Sequence, residues 1–189
     1  MTDADILSIR RYLLSLPAAE RKNTPHKLRF PFKFRPLILA WRALNFPSIK
    51  NQTGTDYLKA RGPYQPVSDK DRTWNRGAYL VEGPMHCTEC HTPRDQVGGL
   101  KLHLWMTGGP VLVGETNPAP NITPSASGLK AWSKADWTDF LKTGHRPTGG
   151  HVTGEMKAVT TNATSTLTPD DTSAVIEYLQ SLTPRASSK

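Results

Sequence analysis

Long apolar runs are missing from this chain of 189 residues. No stretch has the charged-then-apolar form of a secretory signal peptide, and no window stays apolar over the roughly 20 residues of a transmembrane helix. The first 17 residues do not qualify, because charged side chains interrupt their apolar positions as in an amphipathic helix. These are Asp3, Asp5, Arg10 and Arg11. A membrane anchor is therefore expected only in parts outside this sequence.

Acidic residues are outnumbered, with 16 Asp and Glu against 24 Lys and Arg, a formal net charge of +8 and a pI near 9.7. Nucleic acid is a conceivable partner for such a charge, but no nucleic-acid-binding motif accompanies it. A basic exported protein is the favoured interpretation, with an anionic partner surface or lipid headgroups as counterparts. The hydrophobic fraction of 37% is modest, and 16 prolines and 14 glycines indicate much loop, which suits a fold built around a cofactor.

Cysteine is nearly absent: the only two residues, Cys87 and Cys90, stand three positions apart and are followed directly by His91. In a C-x-x-C-H motif each cysteine adds across a haem vinyl group, and the histidine then lies beneath the iron. The motif predicts one covalent haem c. A zinc site is the first alternative, but it needs two further ligands at short spacing, and His86 is badly placed to be one. A redox dithiol is the second, but it expects a βαβ pattern that the sequence does not show.

A methionine thioether commonly binds haem iron opposite the histidine. Met156 is the predicted ligand, since it stands in a Gly- and Thr-rich segment, expected to be a loop, just before the last helix. Met1 is terminal, Met85 is too close to the first cysteine to reach the opposite face, and Met106 falls in the segment 98–128, expected to cover the other haem edge. The competing ligands are His145 and His151.

Apolar periodicity and capping residues predict four main helices. One covers residues 2–16, with Thr2 as N-cap and Pro17 as its end. A second is capped by Thr73 and ends at Gly83. A third runs from the Ser133 cap to about residue 142, and the last follows a cap at residue 168. The buried stripe of the third helix is expected to be Trp137, Phe140 and Leu141.

A glycine inside the second of these helices, Gly77, costs roughly 1 kcal/mol against alanine, which indicates that another helix crosses close by. The expected partner is the last helix, at Tyr178.

The first and last helices share a pattern at an offset of 166 residues. Thr2 corresponds to Thr168, and Asp5 to Asp171; Tyr12-Leu13 and Ser15-Leu16 recur as Tyr178-Leu179 and Ser181-Leu182. Only one C-x-x-C-H motif accompanies the two copies. The pattern predicts that residues 1–17 are the closing helix of a preceding haem domain, although chance convergence of two capped helices remains an alternative.

Residues 18–72 are predicted to be a linker. Between residues 20 and 36, basic residues alternate with Phe30, Phe32 and Phe34. This alternation suits nucleic acid or a lipid surface, but an extended segment that lays its phenylalanines on a neighbouring domain is favoured. A short helix is expected at residues 37–46, around Trp41, and irregular structure at residues 47–72.

Together these motifs resemble the second haem domain of the multihaem cytochrome c subunits of membrane-bound bacterial alcohol, aldehyde and gluconate dehydrogenases. The resemblance rests on residues 74–94 around the cysteine motif, Asn121-Ile-Thr-Pro, Trp132-Ser, Phe140-Leu-Lys-Thr-Gly144, Met156 and Asp171 with Tyr178-Leu179; residues 27–36 and Trp41 match the preceding connection. It implies an all-α, class I-like cytochrome c fold over residues 73–184, thioethers at Cys87 and Cys90, and axial ligation by His91 and Met156.

The resemblance also suggests that Trp132 donates a hydrogen bond to a haem propionate and that Pro93 or Pro120 supplies a carbonyl to His91. It implies a non-enzymatic, periplasmic electron-transfer module that accepts electrons from a dehydrogenase catalytic subunit and passes them to a respiratory-chain acceptor. A missing N-terminal haem domain is a further expected partner. The alternative function is a haem enzyme or sensor whose open axial site binds peroxide or a gas.

Overall fold

The computed structural model describes residues 1–28, 30–31, 33–45, 66, 68–110 and 117–187, in two compact units, Met1–Tyr64 and Gln65–Lys189. The helices are α1 (Asp3–Ser15), α2 (Pro36–Asn45), α3 (Arg72–Glu82), α4 (Cys87–His91), α5 (Lys134–Thr143), α6 (Gly154–Asn162) and α7 (Pro169–Ser181). Short 3-10 turns lie at Leu102–Leu104 and Thr164–Thr166. In the described ranges β pairing is limited to isolated bridges, so the predicted all-α fold is confirmed. None of the helices in these ranges is long and apolar enough to cross a bilayer.

The first unit contains α1 and α2, and neither helix buries a residue. The Thr2 hydroxyl accepts a hydrogen bond from the Asp5 amide at 3.2 Å, which confirms the predicted cap of α1. Helix α2 confirms the short helix expected around Trp41. Most residues of the segment expected to be irregular, 47–65 and 67, lie outside the described residues.

The expectation of an extended segment is wrong for the residues that the structure describes, and the packing of its phenylalanines on a neighbouring domain stays a prediction. The chain turns at residues 30–31, 33 and 35, and the Phe34 amide donates to the Pro31 carbonyl at 2.9 Å. Phe30 is 88% exposed and Phe34 is also exposed. Phe32 lies outside the described residues. The prolines favour turns here over the extended backbone that alternation alone suggested.

The core of the second unit is the crossing of α3 and α7. A Cβ atom on Gly77 would lie 2.0 Å from the Ala174 carbonyl oxygen and 2.7 Å from Tyr178 Cβ, so only glycine allows this approach. The predicted crossing is therefore confirmed. The Arg76 guanidinium also binds both carboxylate oxygens of Asp171, at 2.7 and 2.9 Å, across the same two helices.

The cap of α3 was predicted wrongly. Asp71 caps this helix, since its carboxylate accepts from the Trp74 amide at 2.7 Å, and Thr73 is already helical. Both residue types are good caps, and sequence alone did not rank them.

Helix α5 begins with the predicted capping box, in which Ser133 and Asp136 each bind the other's backbone amide. Trp137 and Leu141 are buried, as expected, and Phe140 is half-buried. The helix ends at Gly144, whose φ of 74° is in the left-handed region that favours glycine.

The segment around Met156 was expected to be a loop, and this expectation is wrong. Met156 is the third residue of α6 and is half-buried. Threonine- and glycine-rich sequence has low helix propensity, but α6 packs against α5, and tertiary contact overrides a weak local preference.

Candidate haem site

The C-x-x-C-H motif forms its own short helix, α4, directly after α3. Helix α3 ends at Glu82 with Gly83 as its C-cap, and His86 adopts a left-handed φ of 38° that turns the chain into α4. Cys87 and Cys90 are free, half-buried thiols one turn apart, and His91 is buried at the end of the helix. Three functional side chains of two chemical types therefore stand on a single rigid turn.

Both thiols are protonated in this environment. Burial raises the pKa of Cys87 to about 12, although part of the residue reaches the surface. Burial also raises the pKa of Cys90, to which the nearby carboxylates of Glu89 and Glu155 contribute. A redox dithiol needs a thiolate of low pKa, which neither cysteine provides. The dithiol alternative is therefore disfavoured.

The His91 ring is oriented by a backbone carbonyl. Its Nδ1 atom lies 2.8 Å from the Pro120 carbonyl oxygen. Because a carbonyl only accepts, Nδ1 carries the proton, and Nε2 keeps a lone pair available for a metal. Burial lowers the pKa of His91, so the ring is neutral. Of the two carbonyls expected to hold His91, Pro120 is confirmed; the Pro93 carbonyl instead accepts from the Lys101 amide at 2.8 Å.

The loop that carries Pro120 is fixed to α4 by backbone contacts. The Gly108 amide donates to the His91 carbonyl at 2.9 Å, and the Gly109 amide donates to the Ala119 carbonyl at 2.9 Å. A Cβ atom on Gly109 would lie 1.7 Å from the Cys90 carbonyl oxygen, so this close approach requires glycine. The orientation of His91 thus depends on the tight packing of a glycine pair against the haem motif.

Asn121 is a supporting residue whose role was not predicted from the sequence. Its buried side-chain oxygen accepts from the Thr123 amide and hydroxyl, at 2.8 and 2.7 Å, and its amide nitrogen donates to the Arg185 carbonyl at 2.8 Å. These bonds hold the residue after Pro120 in place. The Asn-Ile-Thr motif was the available signal, but only the folded loop reveals its partners.

The structure places Met106 and Met156, two of the methionines compared as ligands, in different parts of the second unit. Met106 is fully buried. Its backbone amide donates to the Thr92 hydroxyl, next to His91, and its carbonyl accepts from the Ile122 amide, two residues after Pro120. Met106 therefore lies on the His91 side. Met156 follows Glu155, whose carboxylate influences the Cys90 thiol, so the start of α6 lies within electrostatic range of α4.

Trp132 belongs to an aromatic cluster, with its ring centroid 5.1 Å from those of Trp137 and Phe140. The competing histidines form a separate surface pair. His145 Nδ1 lies 2.9 Å from Asp139, and the ring centroids of His145 and His151 are 5.5 Å apart.

The donor set fits haem c. Two neutral thiols lie on one helix beside a neutral imidazole with a free Nε2 atom, the groups that thioether formation and axial ligation require. The zinc alternative finds no support, because the described part of the chain contains no group of three or more His, Cys, Asp and Glu residues suited to a metal ion.

An all-helical domain with this donor set defines a c-type cytochrome module. Residues 74–183 match the cytochrome c family, and the chain belongs to that family. This confirms the predicted cytochrome c fold and the recognition of the family.

Several curated proteins resemble almost the whole chain. The chain is 34% identical over 182 residues to a nicotinate dehydrogenase subunit of Pseudomonas putida, covering 96% of this chain and 14% of that protein. It is 34% identical over 176 residues to a dihaem c-type cytochrome of Cereibacter sphaeroides, covering 93% and 53%. It is 33% identical over 192 residues to the cytochrome c subunit of a quinone-dependent alcohol dehydrogenase of Gluconacetobacter polyoxogenes, covering 97% and 38%. The chain thus spans about half or less of the length of these relatives.

Proposed function

We propose that this chain is a periplasmic electron-transfer module that carries one haem c. The observation that carries the proposal is the hydrogen bond from His91 Nδ1 to the Pro120 carbonyl. His91 directly follows the second of two neutral thiols in the chain. When bound, haem c supplies a one-electron iron couple. Cys87 and Cys90 would hold it through thioethers, and His91 Nε2 would bind the iron.

Met156 is the proposed second axial ligand. Its support is its half-buried position near the start of α6, within electrostatic range of the motif helix, whereas Met106 lies on the His91 side. A thioether favours ferrous iron and raises the reduction potential. With both axial positions filled by the protein, the module would transfer electrons without binding a substrate. No observation favours the enzyme or sensor alternative, and the relatives are named as a c-type cytochrome or as dehydrogenase subunits.

Trp132 is proposed to donate its indole N–H to a haem propionate. Its support is the contact with Trp137 and Phe140, which fixes the ring plane through packing with α5. A fixed donor would help to set the potential by stabilising the negative charge of the propionate.

The proposed partners are a dehydrogenase catalytic subunit as electron donor and a respiratory-chain protein as acceptor. The support is the names of the relatives, which include cytochrome subunits of alcohol, fructose and gluconate dehydrogenases. Covalent haem attachment and these relatives also support a periplasmic location.

The ligand assignment is tested with Met156→Ala and the matched variant Met106→Ala. Met156→Ala should keep covalent haem but lose the weak red absorption band of methionine bound to ferric iron, and its midpoint potential should fall. Met106→Ala should keep the band, although it removes a buried side chain and lowers stability by about 2–5 kcal/mol. If the band is lost only in the Met106 variant, Met156 is not the ligand.

Helix α1 is proposed to close a second cytochrome c domain, with residues 18–72 as linker and 73–184 as the domain described above. Helices α1 and α7 are both 13 residues long, and each ends with a serine hydroxyl bound to a tyrosine carbonyl at 2.7 Å. Tyr178 is fully buried, whereas its counterpart Tyr12 is 64% exposed. An α3-like helix would cover that exposed face.

This domain proposal is tested by reading the nucleotides upstream of the Met1 codon. It expects an in-frame C-x-x-C-H motif preceded by a helix with a glycine at the crossing position. An in-frame stop codon without such a motif would contradict it.

A further inference from the structure

The basic charge of the chain is concentrated in one short segment that also exposes large apolar side chains. Residues 21–45, here called the basic-apolar segment, contain seven Lys and Arg residues and no Asp or Glu. The six of these cations that the structure describes are all exposed. They are Arg21, Lys22, Lys27, Lys33, Arg35 and Arg42. The segment thus has a charge of one sign, unlike the remainder of the chain, where acidic and basic residues are mixed.

Apolar side chains project from the same segment. Phe30 is 88% exposed, and Leu39 and Leu44 of α2 are 67% and 81% exposed. Trp41 is only half-buried, so α2 exposes apolar residues over most of its circumference. Exposure of this extent is costly in water and indicates a surface that another phase or molecule covers.

The charge distribution indicates what covers it. The core of a protein interface is depleted of charged residues, whereas here seven cations and no acidic residue are interspersed with the exposed apolar side chains. Phenylalanine, tryptophan and leucine surrounded by lysine and arginine are instead typical of helices that lie in the headgroup region of a bilayer. Helix α1 is a different case. The matching face of α7 is covered by another helix, α3, so the apolar face of α1 is expected to be covered by protein.

We propose that the basic-apolar segment lies on an anionic phospholipid surface, with its cations on the headgroups and Phe30, Leu39 and Leu44 inserted at the acyl boundary. The segment would hold the haem domain at the membrane face without crossing it. This attachment is independent of the haem ligation proposed above.

The test is co-sedimentation of the full chain, with haem bound, with vesicles of phosphatidylcholine alone or mixed with phosphatidylglycerol. Binding should require phosphatidylglycerol and weaken as salt is raised. Each cation near an anionic surface strengthens binding about fivefold, so K33Q/R35Q should weaken it about 25-fold. L39S/L44S should weaken it at least about tenfold, because the apolar insertion is lost.

Matched controls come from exposed residues of the second unit. K130Q/K157Q changes the net charge equally, and V97S removes a comparably exposed apolar side chain. Both should bind as the wild-type chain does. The proposal fails if these controls weaken binding as much as the segment variants do. It also fails if L39S/L44S has no effect, because binding would then come from charge attraction without apolar insertion. It also fails if the chain binds neither vesicle type, which would assign the segment to a protein partner.

Discussion

The Glu82 carboxyl couples the main helix crossing to pH. Glu82, at the end of α3, accepts a hydrogen bond from the hydroxyl of the fully buried Tyr178 on α7. Burial raises the pKa of Glu82 from 4.5 to about 7, although the bond from Tyr178 acts in the opposite direction. The folded protein therefore binds a proton at this site that the unfolded chain releases.

This difference makes folding stability fall as pH rises. The stabilisation from protonated Glu82 is fully present below pH 4.5 and is lost progressively as pH rises to about 7. A shift of about 2.5 units, at 1.36 kcal/mol each, corresponds to about 3 kcal/mol. Glu82→Gln keeps an acceptor oxygen for Tyr178 but cannot ionise. We expect this variant to gain about 3 kcal/mol relative to the wild type across that interval.

The assay is guanidinium unfolding followed by circular dichroism at a series of pH values. Glu20→Gln, which removes an exposed carboxylate, is the control and should give a pH profile parallel to the wild type. Tyr178→Phe removes the hydrogen bond that favours the ionised carboxylate and should extend the decline to higher pH. A Glu82→Gln profile that stays parallel to the wild type would refute the assignment of this pH dependence to the buried carboxyl.

Three further substitutions test other contacts. Gly77→Ala places a Cβ atom 2.0 Å from the Ala174 carbonyl oxygen. Overpacking should cost about 3 kcal/mol, which exceeds the gain of about 1 kcal/mol in helix propensity. The free energy of unfolding should therefore fall by about 2 kcal/mol. A stable variant would contradict the crossing. Asn121→Ala unpairs buried backbone groups and should cost about 2 kcal/mol or more in the same assay, together with a change in midpoint potential. Unchanged values would remove its supporting role. Trp132→Phe keeps an aromatic ring but loses the N–H donor; it should shift the potential with little effect on unfolding, and an unchanged potential would exclude the propionate bond.

The helices that sequence predicted well were those with both a capping signal and an apolar stripe. The α5 capping box at Ser133 and the close crossing at Gly77 follow from local rules that the fold did not override. The α3 cap was mistaken because Asp71 and Thr73 are both suitable residues, and only the backbone conformation selects between them. Helix α6 was missed because its sequence is a weak helix former that packing stabilises.

The chemistry of the candidate site was readable from spacing, but its support was not. C-x-x-C-H identifies the thiols and the imidazole without the fold, since their neighbours are fixed by one helical turn. The Pro120 carbonyl is 29 residues from His91, and the Arg185 carbonyl is 64 residues from Asn121. Contacts at such separations depend on how the long loop folds back, which no local pattern encodes.

The central claim is that Cys87 and Cys90 hold one haem covalently. The most direct measurement is mass spectrometry of a tryptic digest of the exported, mature protein after acid-acetone extraction. Trypsin cleaves after Arg76 and Arg94 and releases residues 77–94 with both cysteines. We expect this peptide to have the mass of the polypeptide plus one haem. A peptide of unmodified mass from a colourless exported protein would contradict it.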